Sequence, residues 1–217
     1  MKRLCLIFRG ENKRDYIKTI SALENINNWR EMLFNPLKTN NEYEYDIVFV
    51  TYDSDILEDL KKEVGPKDVI INNKENSSQV TLFSTVNEYI QEHKSIYDRF
   101  VILRFDIIYK LRITEWPKWS INSITVPCKD ESWDSTKFYN DIVFIVDQGY
   151  YDVFNMAVEY MVNIKNTPIP QRISFHSEMP HHIGQYLHIN KLKLDIMYEG
   201  LYNGVINHPL YIFTRTI

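Results

Sequence analysis

Arg104-Phe105-Asp106 sets two opposite charges at the end of an apolar run, Phe100 to Leu103, and apolar character resumes at Ile107-Ile108. Charges in such a setting are costly to bury unless they are paired or bound to something. Asp106 is therefore the leading candidate for a functional carboxylate, with an Arg104–Asp106 pair that merely closes a strand end as the competing reading. Asp53-Ser54-Asp55 has a spacing with which carboxylate oxygens hold Mg²⁺ or Mn²⁺ against a diphosphate. The same triplet precedes a helical pattern, and capping of free N–H groups explains Asp55 better than metal does. Asp53, nearer a strand end, stays a candidate for contact with a nucleobase or ribose. Arg9 and Arg14 flank the turn at Gly10, and the planar fork of arginine suits a diphosphate. Without the sheet topology, two solvated charges beside Glu11 and Asp15 are the favoured reading. Glu178 and His182 fall four apart, on one face of a helix that begins near Ser177, and fit a base with its orienter or a pair of metal ligands. Pro180 and the spacing exclude the zinc-protease pattern.

These residues need elements to hold them. Phe100–Leu103, rich in Val and Ile, reads as a central strand buried on both faces. Leu4–Phe8, Ile47–Val50 and Val69–Ile71 read as its neighbours. Between them, helical spacing predicts a helix from about Lys13–Asp15 carrying Ile17, Ile20 and Leu23, broken at Asn25–Asn28. A second piece with Trp29, Met32 and Leu33 ends at Pro36. A third helix carries Ile56, Leu57, Leu60 and Val64 and stops at Gly65-Pro66; a fourth spans about Gln79 to Tyr97. This alternation predicts an α/β fold with a mainly parallel sheet, and ligands in such sheets bind beyond the carboxyl ends of the strands. Further on, Ser123–Val126, Ile142–Val146, Leu192–Met197 and Leu210–Phe213 read as strands, with helices around Val153–Met161 and from Ser177 to about His188.

Composition removes several classes. With 44% hydrophobic and 25% charged residues the chain is an ordinary globular protein, and its net charge of −4 argues against general nucleic-acid binding. Cys5 and Cys128 stand far apart in apolar contexts, which predicts buried reduced thiols. The run after Lys2-Arg3 is too short for a signal peptide, and no stretch suits a membrane span, so a cytoplasmic location is expected. Neither the dinucleotide-binding glycine fingerprint nor the P-loop occurs, nor does a Ser or Cys nucleophile pattern, which sets dehydrogenases and kinases aside.

Four stretches together carry a resemblance: L-C-L-I-F-R-G-E-N-K-R at the start, Y-D-I-V-F-V-T-Y-D-S-D, Y-D-R-F-V-I-L-R-F-D-I-I-Y, and F-H-S-E-M-P-H-H-I-G-Q-Y-L with a terminal F-T-R. The chain resembles small GT-A-type glycosyltransferases of capsular or lipopolysaccharide synthesis and of large DNA viruses that glycosylate their capsids. The resemblance implies one GT-A-like domain over 1–217, with a Rossmann-like nucleotide-sugar half at 1–110 and an acceptor-side half at 111–217. It implies a nucleotide-sugar donor, a glycan acceptor, Mn²⁺ or Mg²⁺, and, for a viral source, the host cytoplasm. By position, Arg9, Gly10 and Arg14 would lie by the donor nucleotide and Asp53 by its base or ribose. Asp106 would hold metal or diphosphate, and Asp141 and Glu178 would serve the acceptor as candidate catalytic bases. Arg104 stands where metal-dependent members usually have a first Asp, and is itself a candidate to neutralise the leaving diphosphate. A non-catalytic nucleotide- or carbohydrate-binding module of the same fold is the alternative. A nucleotidyltransferase is disfavoured because no Gly-, Lys- and Arg-rich signature stands near the N-terminus.

Overall fold

The structure, a computed structural model, describes residues 1–15, 19–76, 78–130, 140–166, 181–199, 201–202 and 208–213. Strand β1 (Lys2–Gly10) leads into a short hairpin, β2 (Lys13–Asp15) and β3 (Thr19–Ser21), and then a helical run containing α1 (Ile26–Trp29) and α2 (Asn35–Thr39). Next come β4 (Tyr43–Tyr52), α3 (Leu57–Val64), β5 (Asp68–Asn72), α4 (Gln79–His93), β6 (Arg99–Arg104) and β7 (Ile107–Tyr109). The second half supplies β8 (Ile124–Val126), β9 (Lys129–Asp130), β10 (Phe144–Asp147), α5 (Tyr151–Asn166) and α6 (His181–Ile189). It closes with β11 (Leu194–Ile196), β12 (Leu201–Tyr202) and β13 (Tyr211–Phe213).

Seven strands form the central sheet in the order β11-β8-β10-β6-β1-β4-β5. Strands β6, β1, β4 and β5 are mutually parallel, as the sequence alternation predicts, and β10 runs antiparallel to both β6 and β8. β1 and β6 are buried on both faces because their side chains alternate between two apolar layers. Leu4, Leu6, Phe8, Val101 and Leu103 pack with Trp29, Phe34 and Phe49. Cys5, Ile7, Phe100 and Ile102 face α4, α5 and α6 through Phe83, Phe154 and Leu187. Both cysteines are free and buried.

The first helical segment differs from the sequence reading. Residues from Lys13 form the β2–β3 hairpin rather than a helix, because Asn12 fixes the chain at its start. Its side chain donates to the Tyr52 carbonyl at 3.1 Å, and its own carbonyl accepts from the Ala22 N–H at 2.8 Å. Nor do the asparagines break the helix that follows: the chain is helical from 22 to 39, capped by Ser21, whose hydroxyl accepts from the Leu23 N–H at 3.3 Å. Pro36 does not end it either. Arg30–Phe34 widens into a π turn in which the Asn35 N–H reaches the Arg30 carbonyl, which accommodates a proline that has no N–H to give. The helix opened by α3 starts after Ile56, without a side-chain cap, and Asp55 instead meets Lys13 Nζ at 2.7 Å.

The asparagines have another use. Asn25 donates to the Phe105 carbonyl at 2.9 Å. Asn28 donates to the Tyr109 carbonyl at 2.8 Å and accepts from its N–H at 2.7 Å. The Trp29 indole donates to the Ile107 carbonyl at 3.2 Å. One helical run thus holds the backbone around Asp106, and β13 pairs with β7 beside it.

Candidate functional site

Arg9 is the next-to-last residue of β1 and Arg104 the last of β6, and the two are register partners on adjacent parallel strands. Strand alternation puts both on the α4 face of the sheet. Two like charges directly alongside one another are destabilising unless compensated. The turn after β6 brings Asp106 back onto Arg104, with Nε to Oδ1 at 2.8 Å and Nη2 to Oδ2 at 2.7 Å. Asp141, in the segment entering β10, accepts from Arg9 Nη2 through its backbone carbonyl and lies 3.4 Å away through Oδ2. The same Oδ2 is 3.9 Å from Arg104 Nη1. Arg9, Arg104, Asp106 and Asp141 are all buried, with exposures of 2%, 7%, 5% and 7%. Arg9 stacks on Phe83 of α4 at 4.1 Å, and Arg104 lies 5.3 Å from the Phe213 ring of β13. Burial pulls the Arg9 guanidinium down to about 10, partly offset by Asp141. Burial acts the same way on Arg104, but the Asp106 carboxylate outweighs it and holds Arg104 above its ordinary value. Both arginines are charged at neutral pH.

A cavity of about 260 Å³ opens here, at the carboxyl ends of β1, β4 and β6, where Arg9, Arg104 and Asp106 line it with Tyr52. Gly10 lines it as well, at φ +114°, a conformation that excludes a side chain even though no atom lies within 4 Å of a built Cβ. The Thr51 hydroxyl donates to the Gly10 carbonyl at 2.8 Å and fixes that turn. The opposite wall is the start of α4, through Ser78, Gln79 and Leu82. Ser78 caps this helix, its Oγ accepting from the Thr81 N–H at 3.1 Å, so the positive end of a fifteen-residue helix borders the cavity.

Of the residues singled out in the sequence, Arg9, Gly10, Arg104 and Asp106 share this cavity, and Asp141 joins them through its ion pairs. Asp53 does not: it is exposed, accepts from the Ser54 N–H at 3.0 Å, and is not part of the wall. The Arg14 side chain, Glu178, His176 and the His182 side chain lie outside the described residues. Sequence reasoning placed the start of α4 at Gln79, as observed, but did not assign that terminus to the site. It also missed the asparagines that brace the Asp106 turn.

A hard divalent cation wants several oxygens whose charge is not already spent. Both Asp106 oxygens are engaged by Arg104, Asp141 Oδ2 lies between Arg9 and Arg104, and Asp55 Oδ2 is held by Lys13. Among the described residues no group of three or more His, Cys, Asp or Glu gathers to hold a metal. This donor set does not fit Mn²⁺ or Mg²⁺.

No protein-family model matches the sequence, and no curated protein matches it. Among solved structures, the chain is similar to the crystal structure of the glycosyltransferase GlyE of Streptococcus pneumoniae TIGR4, with a TM-score of 0.53 and 8% identity. That likeness covers 90% of this chain and 45% of the other, so the chain spans less than half of that protein. The two share the fold: an α/β architecture around a mostly parallel sheet flanked by helices. No described helix is long and apolar enough to cross a membrane.

Proposed function

We propose that this chain is a glycosyltransferase that moves a sugar from a nucleotide-sugar donor to a hydroxyl of a glycan or protein-linked glycan. The observation that carries the reading is the pair of buried arginines, register partners at the carboxyl ends of two parallel strands, lining a cavity bordered by a helix N-terminus. Cationic donors at a switch region of an α/β sheet suit a diphosphate, and the glycosyltransferase-like fold supports that choice of ligand. In the reaction, the acceptor oxygen bonds to the anomeric carbon while the bond from that carbon to the diphosphate oxygen breaks. The electron pair stays on the departing nucleoside diphosphate, where cationic groups stabilise it best. The acceptor proton passes to a carboxylate, for which Glu178 is the candidate, because the Asp141 carboxylate is held between Arg9 and Arg104.

Incubation with a panel of nucleotide sugars tests this reading. One donor should raise the melting temperature by mass action and be slowly hydrolysed without acceptor. Stabilisation with no hydrolysis or transfer would leave a nucleotide-binding module instead.

A further inference from the structure

We infer that the diphosphate of the donor is bound and neutralised by Arg9, Arg104 and the N-terminus of α4, in the place a divalent cation takes in metal-dependent enzymes. This rests on the donor-site reading above and adds how the anion is held. Each guanidinium has five N–H donors. Arg104 commits Nε and Nη2 to Asp106, and its Nη1 stands 3.9 Å from Asp141, beyond hydrogen-bond reach. Arg9 commits Nη2 to Asp141, and its buried Nε has no hydrogen-bond partner among the described residues. A buried arginine donor with nothing to bind is costly. The Arg9 side chain also lines the cavity, where an anion can form a charge-assisted pair with its guanidinium. Across the cavity, the first N–H groups of α4 add donors with no charge of their own to neutralise. The carboxylates take a different role here. Asp106 fixes the plane of Arg104 and Asp141 that of Arg9, so each is a positioning residue for a cation.

The test is titration of the protein with uridine diphosphate and guanosine diphosphate, once with excess EDTA and once with Mn²⁺. One nucleotide should bind equally in both. Arg9→Lys and Arg104→Lys should each weaken that binding by roughly tenfold or more, because lysine replaces a fork with a point charge. Gln79→Glu puts a carboxylate in the first turn of α4, which favours the helix but repels the ligand. It should weaken binding while leaving the melting temperature equal or higher. Binding that requires Mn²⁺ overturns the inference and leaves the donor-site reading standing. Binding of neither nucleotide in either condition, with no donor hydrolysed, overturns both. Equal binding that none of the three variants weakens also overturns it. Should the lysine variants not fold, the EDTA comparison on the unaltered chain and the Gln79→Glu variant still decide.

Discussion

Strand β6 carries a buried arginine–aspartate pair at each end, and the two differ in what their donors have left. At the amino end, Arg99 Nε meets Asp147 Oδ1 at 2.7 Å, Nη1 donates to the Trp119 carbonyl and Nη2 to the Ile121 carbonyl at 3.4 Å. The second Asp147 oxygen accepts from the Ser123 N–H at 3.0 Å, and the Trp119 ring lies 4.8 Å from the guanidinium. Every nitrogen and oxygen of that pair is spent. At the carboxyl end, Arg104 stands beside a second arginine, and both keep donors in reserve next to a cavity. Burial and pairing of charge therefore do not by themselves mark a site. Unspent capacity beside open space does.

The largest effect that would sharpen this contrast is on stability at the amino end. Arg99→Met leaves Asp147 buried without its partner and should destabilise the fold by about 3–5 kcal/mol in chemical denaturation. Donor hydrolysis per folded molecule should be unchanged; a specific loss of activity would break the distinction. Asp106→Asn should cost less, about 1–3 kcal/mol, because Asp141 remains near Arg104. The two variants should then part on adding nucleoside diphosphate. The ligand should raise the melting temperature of Arg99→Met as much as that of the unaltered chain, and that of Asp106→Asn by less, because Arg104 is no longer held in plane for it.

A third variant separates positioning from binding. Asn28→Ala removes both hydrogen bonds to the Tyr109 backbone and should cost about 1–2 kcal/mol. It should also slow donor hydrolysis while leaving the Arg99 pair intact, read from hydrogen exchange at Ser123. The smallest effect is acidic. His208 is buried near Lys110 by β13, and burial first, then that lysine, lowers it to about 4 from the ordinary 6.5. The unfolded chain takes up a proton below the ordinary value while the folded one does not, so stability falls as pH drops from 6.5 toward 4. Hydrogen exchange over that interval should rise first at β7 and β13, at the cavity end, and the slope should shrink in His208→Asn.

Much of this arrangement could be read in the sequence. The unbroken apolar runs at Leu4–Phe8 and Phe100–Leu103 state burial on both faces, and the intervening helices dictate parallel strands. From there, Arg9 and Arg104 at the carboxyl ends follow directly. The hairpin after Asn12 did not follow, because Ile17, Ile20 and Leu23 fit a helix until the distant Tyr52 carbonyl is known. The asparagines at 25 and 28 read as helix breakers for the same reason, since their partners lie some eighty residues away. Asp53 has a suggestive spacing on the chain, and the fold leaves it exposed and outside the cavity wall.

The reversed direction of β10 also has a consequence for how the chain is made. In an all-parallel sheet a residue that precedes a strand lies at the end opposite the residues that follow its neighbours. Because β10 runs the other way, Asp141 arrives at the carboxyl end of β6 on the way in. During synthesis, β1, β4, β5 and β6 emerge first, and β6 remains an open sheet edge with Arg9 and Arg104 side by side. Insertion of β10 seals that edge and delivers the counter-charge of Arg9 in one event. The counter-charge of Arg9 thus comes from the second half of the chain.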